Sequence, residues 1–247
     1  MDFDIYLMEY RYTAIILKKK EVGETDRLYT VYTKEAGKLK LVARGVRKQE
    51  AKLASQLETM NIVSLSVQRG RGQGKIAGAV AEESLLAIRR NEAAVFEILS
   101  ALNVFERLVG LEEKDEALFS LLERFLRTAE KLVTQGKAEK VTLLLHAFFF
   151  HLFSELGYQI EAGVCAATGE RLDVNDRLFF SPAAGGVITS LAAGTVPQSI
   201  PMSPATVKLL RILLSNKLEN IVKIAPEKQE IQELSLATTR FIDWIVR

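Results

Sequence analysis

The sequence predicts an α+β protein in which a small all-β domain precedes a helical domain. Over residues 12–80, apolar and polar side chains alternate in short runs separated by glycine-containing turns, a pattern typical of strands. From residue 81 onward, apolar side chains recur at helical spacing, which is typical of amphipathic helices. An apolar content of 48% in 247 residues is ample for a folded core.

Five strands are predicted in the first domain, at residues 12–18, 26–33, 38–44, 61–68 and 75–80. Short strands joined by glycine-rich turns in this number indicate a small β-barrel. Because cations gather on one face of this barrel, we expect an OB-fold, a five-stranded barrel that commonly binds nucleic acids. An SH3-like barrel is the structural alternative.

Five helices are predicted after the barrel, at residues 95–108, 117–132, 141–156, 203–215 and 226–246. The third is apolar on nearly every side, as expected for the central helix of a bundle. Ser203 and Pro204 supply the fourth with a capping hydroxyl and a first-turn proline. The predicted divisions are a barrel (1–80), a helical domain (81–160), a small lobe or loops (161–200) and helices that complete the helical domain (201–247).

The most distinctive segment is a basic stretch over residues 37–48, in which five side chains are Lys or Arg and none is acidic. Lys38 and Lys40 alternate with Leu39 and Leu41. This alternation places the lysines on one face of a strand and the leucines in the core. A row of cations on a solvated strand matches the repeating charge of a phosphate backbone.

Seven cations make up the predicted DNA-binding site. Those of the basic stretch would neutralise phosphates along one edge of the barrel, and two arginines on a glycine-rich hairpin would clamp the other side. In chain order they are Lys38, Lys40, Arg44, Arg47, Lys48, Arg69 and Arg71. Tyr29 and Tyr32 offer rings for base stacking, but their spacing turns them to opposite faces of a strand, so at most one stacks and the core is favoured for each.

Composition narrows the function classes. Residues 1–80 hold 15 Lys plus Arg against 9 Asp plus Glu, whereas the rest of the chain holds 18 against 22. This asymmetry favours polyanion binding by the first part and protein contacts by the second. The sequence has no apolar run of membrane-spanning length, no basic signal-peptide start and a single cysteine, so a cytoplasmic protein without a membrane partner is expected.

No catalytic constellation stands out in the sequence. The glycines at 70, 72 and 74 lack the order of a nucleotide-binding loop and fit a hairpin. Cys165 has no evident nucleophilic partner, and His146 and His151 point to different faces of a helix. We therefore expect a non-enzymatic binding protein without a cofactor. A hydrolase or transferase would instead need carboxylates or a thiol gathered near these residues.

Several motifs resemble those of the RecO family of bacterial recombination mediators. In the first domain they are Gly23-Glu24-Thr25-Asp26-Arg27-Leu28, Thr33-Lys34-Glu35-x-Gly37-Lys38-Leu39, Val42-Ala43-Arg44-Gly45-Val46-Arg47-Lys48, residues 53–57 and the turn Arg69-Gly70-Arg71-Gly72. Farther along they are Leu156-Gly157-Tyr158 and Phe180-Ser181-Pro182-x-x-Gly185-Gly186-Val187. The similarity spans most of the chain, in the family's order and spacing.

The resemblance implies an N-terminal OB-fold, a central helical domain and a small zinc-type lobe. It implies binding of single- and double-stranded DNA and annealing of complementary strands. The implied partners are the RecR clamp protein, the acidic C-terminal tail of single-strand DNA-binding protein and, indirectly, the RecA recombinase. The implied location is the bacterial cytoplasm, at the nucleoid.

The zinc-type lobe departs from the family pattern. Many members carry two Cys-x-x-Cys pairs that could hold zinc, but the four positions here are Cys165, Thr168, Thr189 and Ala192. Because one thiolate cannot form a structural zinc site, we expect no bound metal. The degenerate lobe would instead be held by the apolar packing of Val164, Leu172, Phe179, Phe180 and Val187.

The implied docking site for the acidic tail is also incomplete. Family members often carry arginines on the helix before Leu-Gly-Tyr, whereas this chain has Leu145-His146-Ala147-Phe148, with Lys140 at least a turn earlier. Only the apolar half of that site is retained, and the sequence does not identify the missing cation. The alternative function is a protein-interaction scaffold whose basic barrel docks an acidic protein, which strand annealing would distinguish from a mediator.

Overall fold

The computed structural model describes residues 8–46, 53–69, 73–173, 176–196 and 198–246. Its contacts divide the chain into two compact units, Met1–Glu130 and Lys131–Arg247. The predicted α+β class is confirmed, because a five-stranded sheet forms the N-terminal part and helices dominate the rest of the chain. None of the helices within the described ranges is long and apolar enough to cross a membrane.

Each predicted strand of the first unit is present. The strands are β1 (Met8–Val22), β2 (Asp26–Thr33), β3 (Gly37–Ala43), β4 (Ile62–Arg69) and β5 (Gly74–Glu83). Their order is β1-β2-β3-β5-β4, and β1 also pairs with β4, so the sheet closes on itself as a barrel. The seam between β3 and β5 is short and parallel, and among the described residues it pairs Leu41 with Gly74 and Val42 with Lys75.

Alternation along the strands fills the inside of the barrel with apolar side chains, as the pattern predicts. The buried interior is formed mainly by Tyr12, Ala14, Ile16, Tyr29, Val31, Leu39, Leu41, Ala43, Val63, Leu65, Val67 and Ile76. Burial of these side chains supplies the main stabilising free energy of the unit, at about 25 cal/mol per Å² of apolar surface.

The described part of the first unit also contains the starts of α1 (Leu53–Gln56), α2 (Leu86–Arg89), α3 (Glu92–Leu108) and α4 (Glu116–Thr134). The side chain of Asn91 caps α3 by accepting the Ala94 N–H at 3.0 Å. The α3 helix lies against the outside of the barrel, where Phe105 meets the ring of Tyr32 edge-on with 4.8 Å between centroids. One outer face of the sheet is therefore partly covered by a helix.

The second unit is organised around α5 (Val141–Glu155), which follows a 3-10 turn (Ala138–Lys140). It packs against α7 (Pro204–Ser215), α8 (Leu218–Ile221) and α9 (Lys228–Ile245). The prediction of a central helix is confirmed, since α5 is buried on nearly every side. The predicted cap is also confirmed: Ser203 Oγ accepts the Thr206 N–H at 3.2 Å.

The small lobe contains a three-stranded antiparallel sheet that the sequence pattern does not predict. Its elements are β6 (Leu178–Ser181), β7 (Gly186–Thr189), the short helix α6 (Ser190–Ala193) and β8 (Ile200–Met202). As predicted, Leu172 and Phe179 pack on one side, against a buried cluster that includes Cys165. Phe180 instead points away from that cluster and contacts Phe241 of α9, with 6.0 Å between ring centroids.

Candidate nucleic-acid interface

The outer face of β3 carries part of the predicted cationic row. Leu39 and Leu41 are fully buried inside the barrel while Lys40 is exposed, which confirms the predicted alternation. Arg44 is exposed in the turn after β3. The predicted site residues Arg47, Lys48 and Arg71 lie outside the described residues.

Lys38 does not lie on a solvated face, and that prediction is wrong. It shares the outer face with Lys40, but α3 covers it and leaves it 8% exposed. Its ammonium donates to the carbonyl oxygen of Glu106, at 2.6 Å, in the last turn of α3. Burial lowers the pKa of Lys38, and the nearby carboxylates of Glu106 and Glu113 oppose that shift. Lys38 therefore caps a helix C-terminus, where a cation is favourable.

Two lysines of β1 join the cationic face, and the sequence pattern alone does not predict them. A bulge between Ile16 and Lys18 changes the register, so that Lys18 lies opposite Thr30, which itself lies opposite Lys40. Lys18 and Lys40 therefore project from the same outer face, two strand spacings or roughly 10 Å apart. Lys20 follows on the same face and is also exposed.

In the sequence, the run of three lysines at 18–20 is the feature that could have indicated cations of β1 on this face. It could not be assigned to a face because the bulge reverses the alternation within β1. Lys19 takes the opposite orientation and forms an ion pair with Glu58 at 2.5 Å. We call Lys18, Lys20, Lys40 and Arg44 the outer cationic face.

Arg69, the predicted clamp, lies at one end of the barrel and already has an anionic partner. Its Nη2 lies 2.6 Å from Oε1 of Glu112, in the loop between α3 and α4. The same loop runs beside β3, where the Glu112 N–H donates to the carbonyl oxygen of Lys38 at 2.9 Å. A phosphate group could reach Arg69 only by replacing the Glu112 carboxylate.

The two tyrosines considered for stacking both belong to the core. They face opposite sides of β2, as predicted: Tyr29 lies inside the barrel, and Tyr32 packs outside it against Phe105. Burial raises the pKa of both hydroxyls. Tyr10 is instead 38% exposed, and its ring stacks almost parallel on Tyr12, with 6.0 Å between centroids and 8° between planes.

The two histidines have separate structural environments. His146 is buried within α5, where its Nδ1 lies 3.2 Å from the Thr238 hydroxyl and burial lowers its pKa to about 4. His151 Nε2 lies 3.1 Å from the carbonyl oxygen of Leu213 and 3.0 Å from that of Asn216. The two side chains do not converge on a common site.

The four positions of the implied zinc site still surround one point in the lobe. Cys165 is buried, with its Sγ 3.9 Å from the Thr189 hydroxyl. Burial raises the pKa of this thiol, but hydrogen bonds from Thr168 and neighbouring backbone amides outweigh burial and lower it to about 7. A donor set with one thiolate does not fit tetrahedral zinc. Among the residues that the structure describes, no three His, Cys, Asp or Glu side chains are grouped as a metal site.

The second unit contains an apolar groove between the start of α5 and the start of α9. The groove has a volume of about 510 Å³, and Leu143 and Ile231 contribute to its lining. Lys140 lies at the groove, but its ammonium donates to the carbonyl oxygens of Val222, at 2.5 Å, and Ile224, at 3.3 Å. Lys228 also lines the groove and is exposed.

The matches to known proteins together span nearly the whole chain. A family model described as the N terminal of recombination protein O matches residues 8–84, and one for its C terminal matches residues 98–247. A protein of Roseiflexus sp. (strain RS-1) named DNA repair protein RecO is 33% identical over 237 residues, which cover 94% of this chain and 81% of the relative. A protein of the same name from Dehalococcoides mccartyi (strain ATCC BAA-2266 / KCTC 15142 / 195) is 30% identical over 241 residues, with 96% and 91% covered.

Proposed function

The chain belongs to the RecO family, and from that membership we propose that it is a DNA repair and recombination mediator. In this proposal the barrel is an OB-fold that binds single- and double-stranded DNA, as its strand order and closure suggest. The observation that carries the proposal is the outer cationic face, where Lys18, Lys20, Lys40 and Arg44 are exposed together.

The outer cationic face suits a mediator because it would bind phosphate groups without recognising the base sequence of the DNA. Lysine and arginine side chains on neighbouring strands would neutralise consecutive phosphates and leave the bases free. Two strands whose charge is screened in this way can approach and pair, which is annealing. This mechanism requires no nucleotide hydrolysis and no cofactor.

The partners in this proposal are RecR, the acidic tail of single-strand DNA-binding protein and, through strand loading, RecA. For the tail we propose the apolar groove at the start of α5, with its apolar side chains against Leu143 and Ile231. Lys228 would then supply the cation that the sequence left unidentified, since Lys140 is engaged by backbone carbonyls. We place the protein in the bacterial cytoplasm, at the nucleoid.

The direct test is fluorescence anisotropy of labelled single-stranded DNA across a salt series. If four cations each contact one phosphate, the log–log salt slope is about −3, at roughly −0.7 per contact. Lys40→Glu/Arg44→Glu should abolish binding at low salt. Lys208→Glu/Lys217→Glu reverses two exposed cations of the second unit and is the matched control.

Strand annealing separates a mediator from a protein-interaction scaffold. A mediator accelerates the pairing of complementary oligonucleotides, and the Lys40→Glu/Arg44→Glu variant loses that acceleration. If the protein binds an acidic partner through the same face but neither binds DNA nor anneals strands, the scaffold function replaces the one proposed.

A further inference from the structure

The mouth of the barrel carries an open aromatic surface that no step of the proposed function uses. Tyr10 lies on the same side of β1 as Tyr12, two residues nearer the end of the strand. Tyr12 is 6% exposed and belongs to the barrel core, whereas Tyr10 is 38% exposed. The Tyr10 ring therefore stacks on the buried ring of Tyr12 on one side. Beyond that contact, Tyr10 extends from the core into solvent.

The strand register places a cation beside this surface. Met8 pairs with Arg69 and Tyr10 pairs with Val67, so Arg69 lies at the same end of the barrel as the Tyr10 ring. Burial raises the pKa of the Tyr12 hydroxyl, and the nearby Arg69 guanidinium opposes that shift. Met8 is 62% exposed and adds a polarisable thioether at the edge of the surface.

We propose that Tyr10 is a stacking platform for an unpaired base and that Arg69 binds the adjacent phosphate in place of Glu112. This subsite rests on the proposed DNA-binding function and deepens it, because it names single-stranded nucleic acid as the ligand of the mouth. The supported ring supplies the flat π-face that any base can stack on, whatever its identity. The guanidinium supplies the charge that tracks the backbone.

The subsite would bind single strands in preference to duplexes, because only an unpaired base has a face free for stacking. A base in a duplex is already stacked on its neighbours and paired, so its face is not available to Tyr10. A base in a single strand has a free face, and its stacking on an aromatic side chain adds to the affinity. The outer cationic face would contact the phosphates of either form, so loss of the Tyr10 ring should affect single strands selectively.

The experiment measures affinities for a single-stranded oligonucleotide and for the corresponding duplex. Tyr10→Ala should weaken single-strand binding about tenfold and leave duplex binding unchanged, while Tyr10→Phe should bind as the wild type does. Phe96→Ala is the matched control, since Phe96 is an aromatic side chain of the same unit that is 73% exposed on α3. Thermal melting of each variant verifies that it is folded.

A second readout reports stacking itself. In Tyr10→Trp, single-stranded DNA should quench the fluorescence of the new indole, measured against the wild type, in which Trp244 is the one tryptophan of the chain. Duplex should quench it much less.

Several results would overturn the subsite. They are an unchanged affinity in Tyr10→Ala, an equal loss for both DNA forms, an equal loss in Phe96→Ala, and no quenching in Tyr10→Trp. If the wild type binds single strands and Lys40→Glu/Arg44→Glu abolishes that binding while Tyr10→Ala does not change it, the subsite fails and the DNA-binding function stands. If the wild type binds no DNA, both fail together.

Discussion

The ammonium of Lys38 on β3 donates a hydrogen bond to the backbone carbonyl oxygen of Glu106, at 2.6 Å, and thereby fixes the C-terminal turn of α3 to the barrel. The contact joins residues far apart in the sequence. It also removes from the solvent a cation that the strand pattern assigns to an open face.

Replacing Lys38 should therefore affect stability more than DNA binding. Lys38→Met removes a charge-assisted hydrogen bond and should lower the free energy of unfolding by about 2 kcal/mol. Urea denaturation measures this loss, and Lys40→Met, an exposed neighbour on the same face, should change stability by no more than about 0.5 kcal/mol. DNA affinity should show the opposite order: Lys40→Met should bind DNA more weakly than Lys38→Met does. A large loss of affinity in Lys38→Met with unchanged stability would contradict this assignment.

Neutralising Glu112 should strengthen binding of single-stranded DNA. Glu112→Gln removes the carboxylate from Arg69 and leaves the backbone bond from the Glu112 N–H to Lys38 in place. Because no carboxylate then competes with the phosphate for Arg69, the affinity at low salt should rise, while the log–log salt slope should stay nearly the same, since Arg69 contacts the phosphate in both proteins. Glu116→Gln is the control, because Glu116 pairs with Lys114 at 2.8 Å instead. Equal gains in both variants would indicate general charge reduction and not release of Arg69.

The protein should lose stability as the pH falls from about 6.5 to 4, through His146. Burial lowers the folded-state pKa of this side chain to about 4, below the ordinary value of 6.5. Between these values the unfolded chain binds a proton that the folded chain does not, so stability rises with pH in that window and is constant above it. Across the whole window this side chain changes the free energy of unfolding by between about 3 and 4 kcal/mol.

Denaturation of the wild type and of His146→Asn at pH 7 and pH 4.5 measures that contribution. The asparagine amide can retain a bond to Thr238 and does not titrate. The variant should therefore lose less stability on acidification than the wild type. The same loss in both proteins would assign the acid sensitivity to other groups.

A side chain at Gly37 should disturb the loop that contacts Arg69. Gly37 has a φ of +69°, and a Cβ there would overlap the backbone carbonyl of Glu113. Gly23 has a similar φ of +64° with open space around it. Gly23→Ala should cost only the left-handed backbone penalty of about 1–2 kcal/mol, and Gly37→Ala clearly more. Thermal unfolding compares the two, and equal losses would show that the loop adapts without cost.

The strands and long helices could be predicted from the sequence because their patterns are local. Alternation of Leu39 and Leu41 with charged neighbours defines β3, and the all-round apolar pattern of residues 141–156 defines α5. The exposure of each cation was less predictable, since it depends on where distant elements pack. Lys38 is covered because α3 returns to β3, and no feature near Lys38 in the sequence encodes that return.

The sequence pattern does not predict the positions of Lys18, Lys20 and Tyr10, and the physical reason differs from that for Lys38. Lys18 and Lys20 reach the outer face through a bulge, which changes the alternation within one strand and leaves no clear mark in the sequence. Tyr10 lies in a part of β1 that extends past the predicted strand. The spacing of Tyr29 and Tyr32 predicts that they lie on opposite faces of β2. It does not predict that Tyr32 is buried, because that burial depends on α3.

The short seam between β3 and β5 has a consequence for dividing this protein into fragments. Beyond the two residue pairs of that seam, β3 receives its next backbone partners from the α3–α4 loop, through Leu111 and Glu112. A fragment that ends at residue 84, where the match to the N-terminal family model ends, would lack this loop. It would expose an unpaired strand edge that favours association with other chains. It would also release Lys38 from α3, and under the proposed function this ammonium would add one more cation to the outer cationic face.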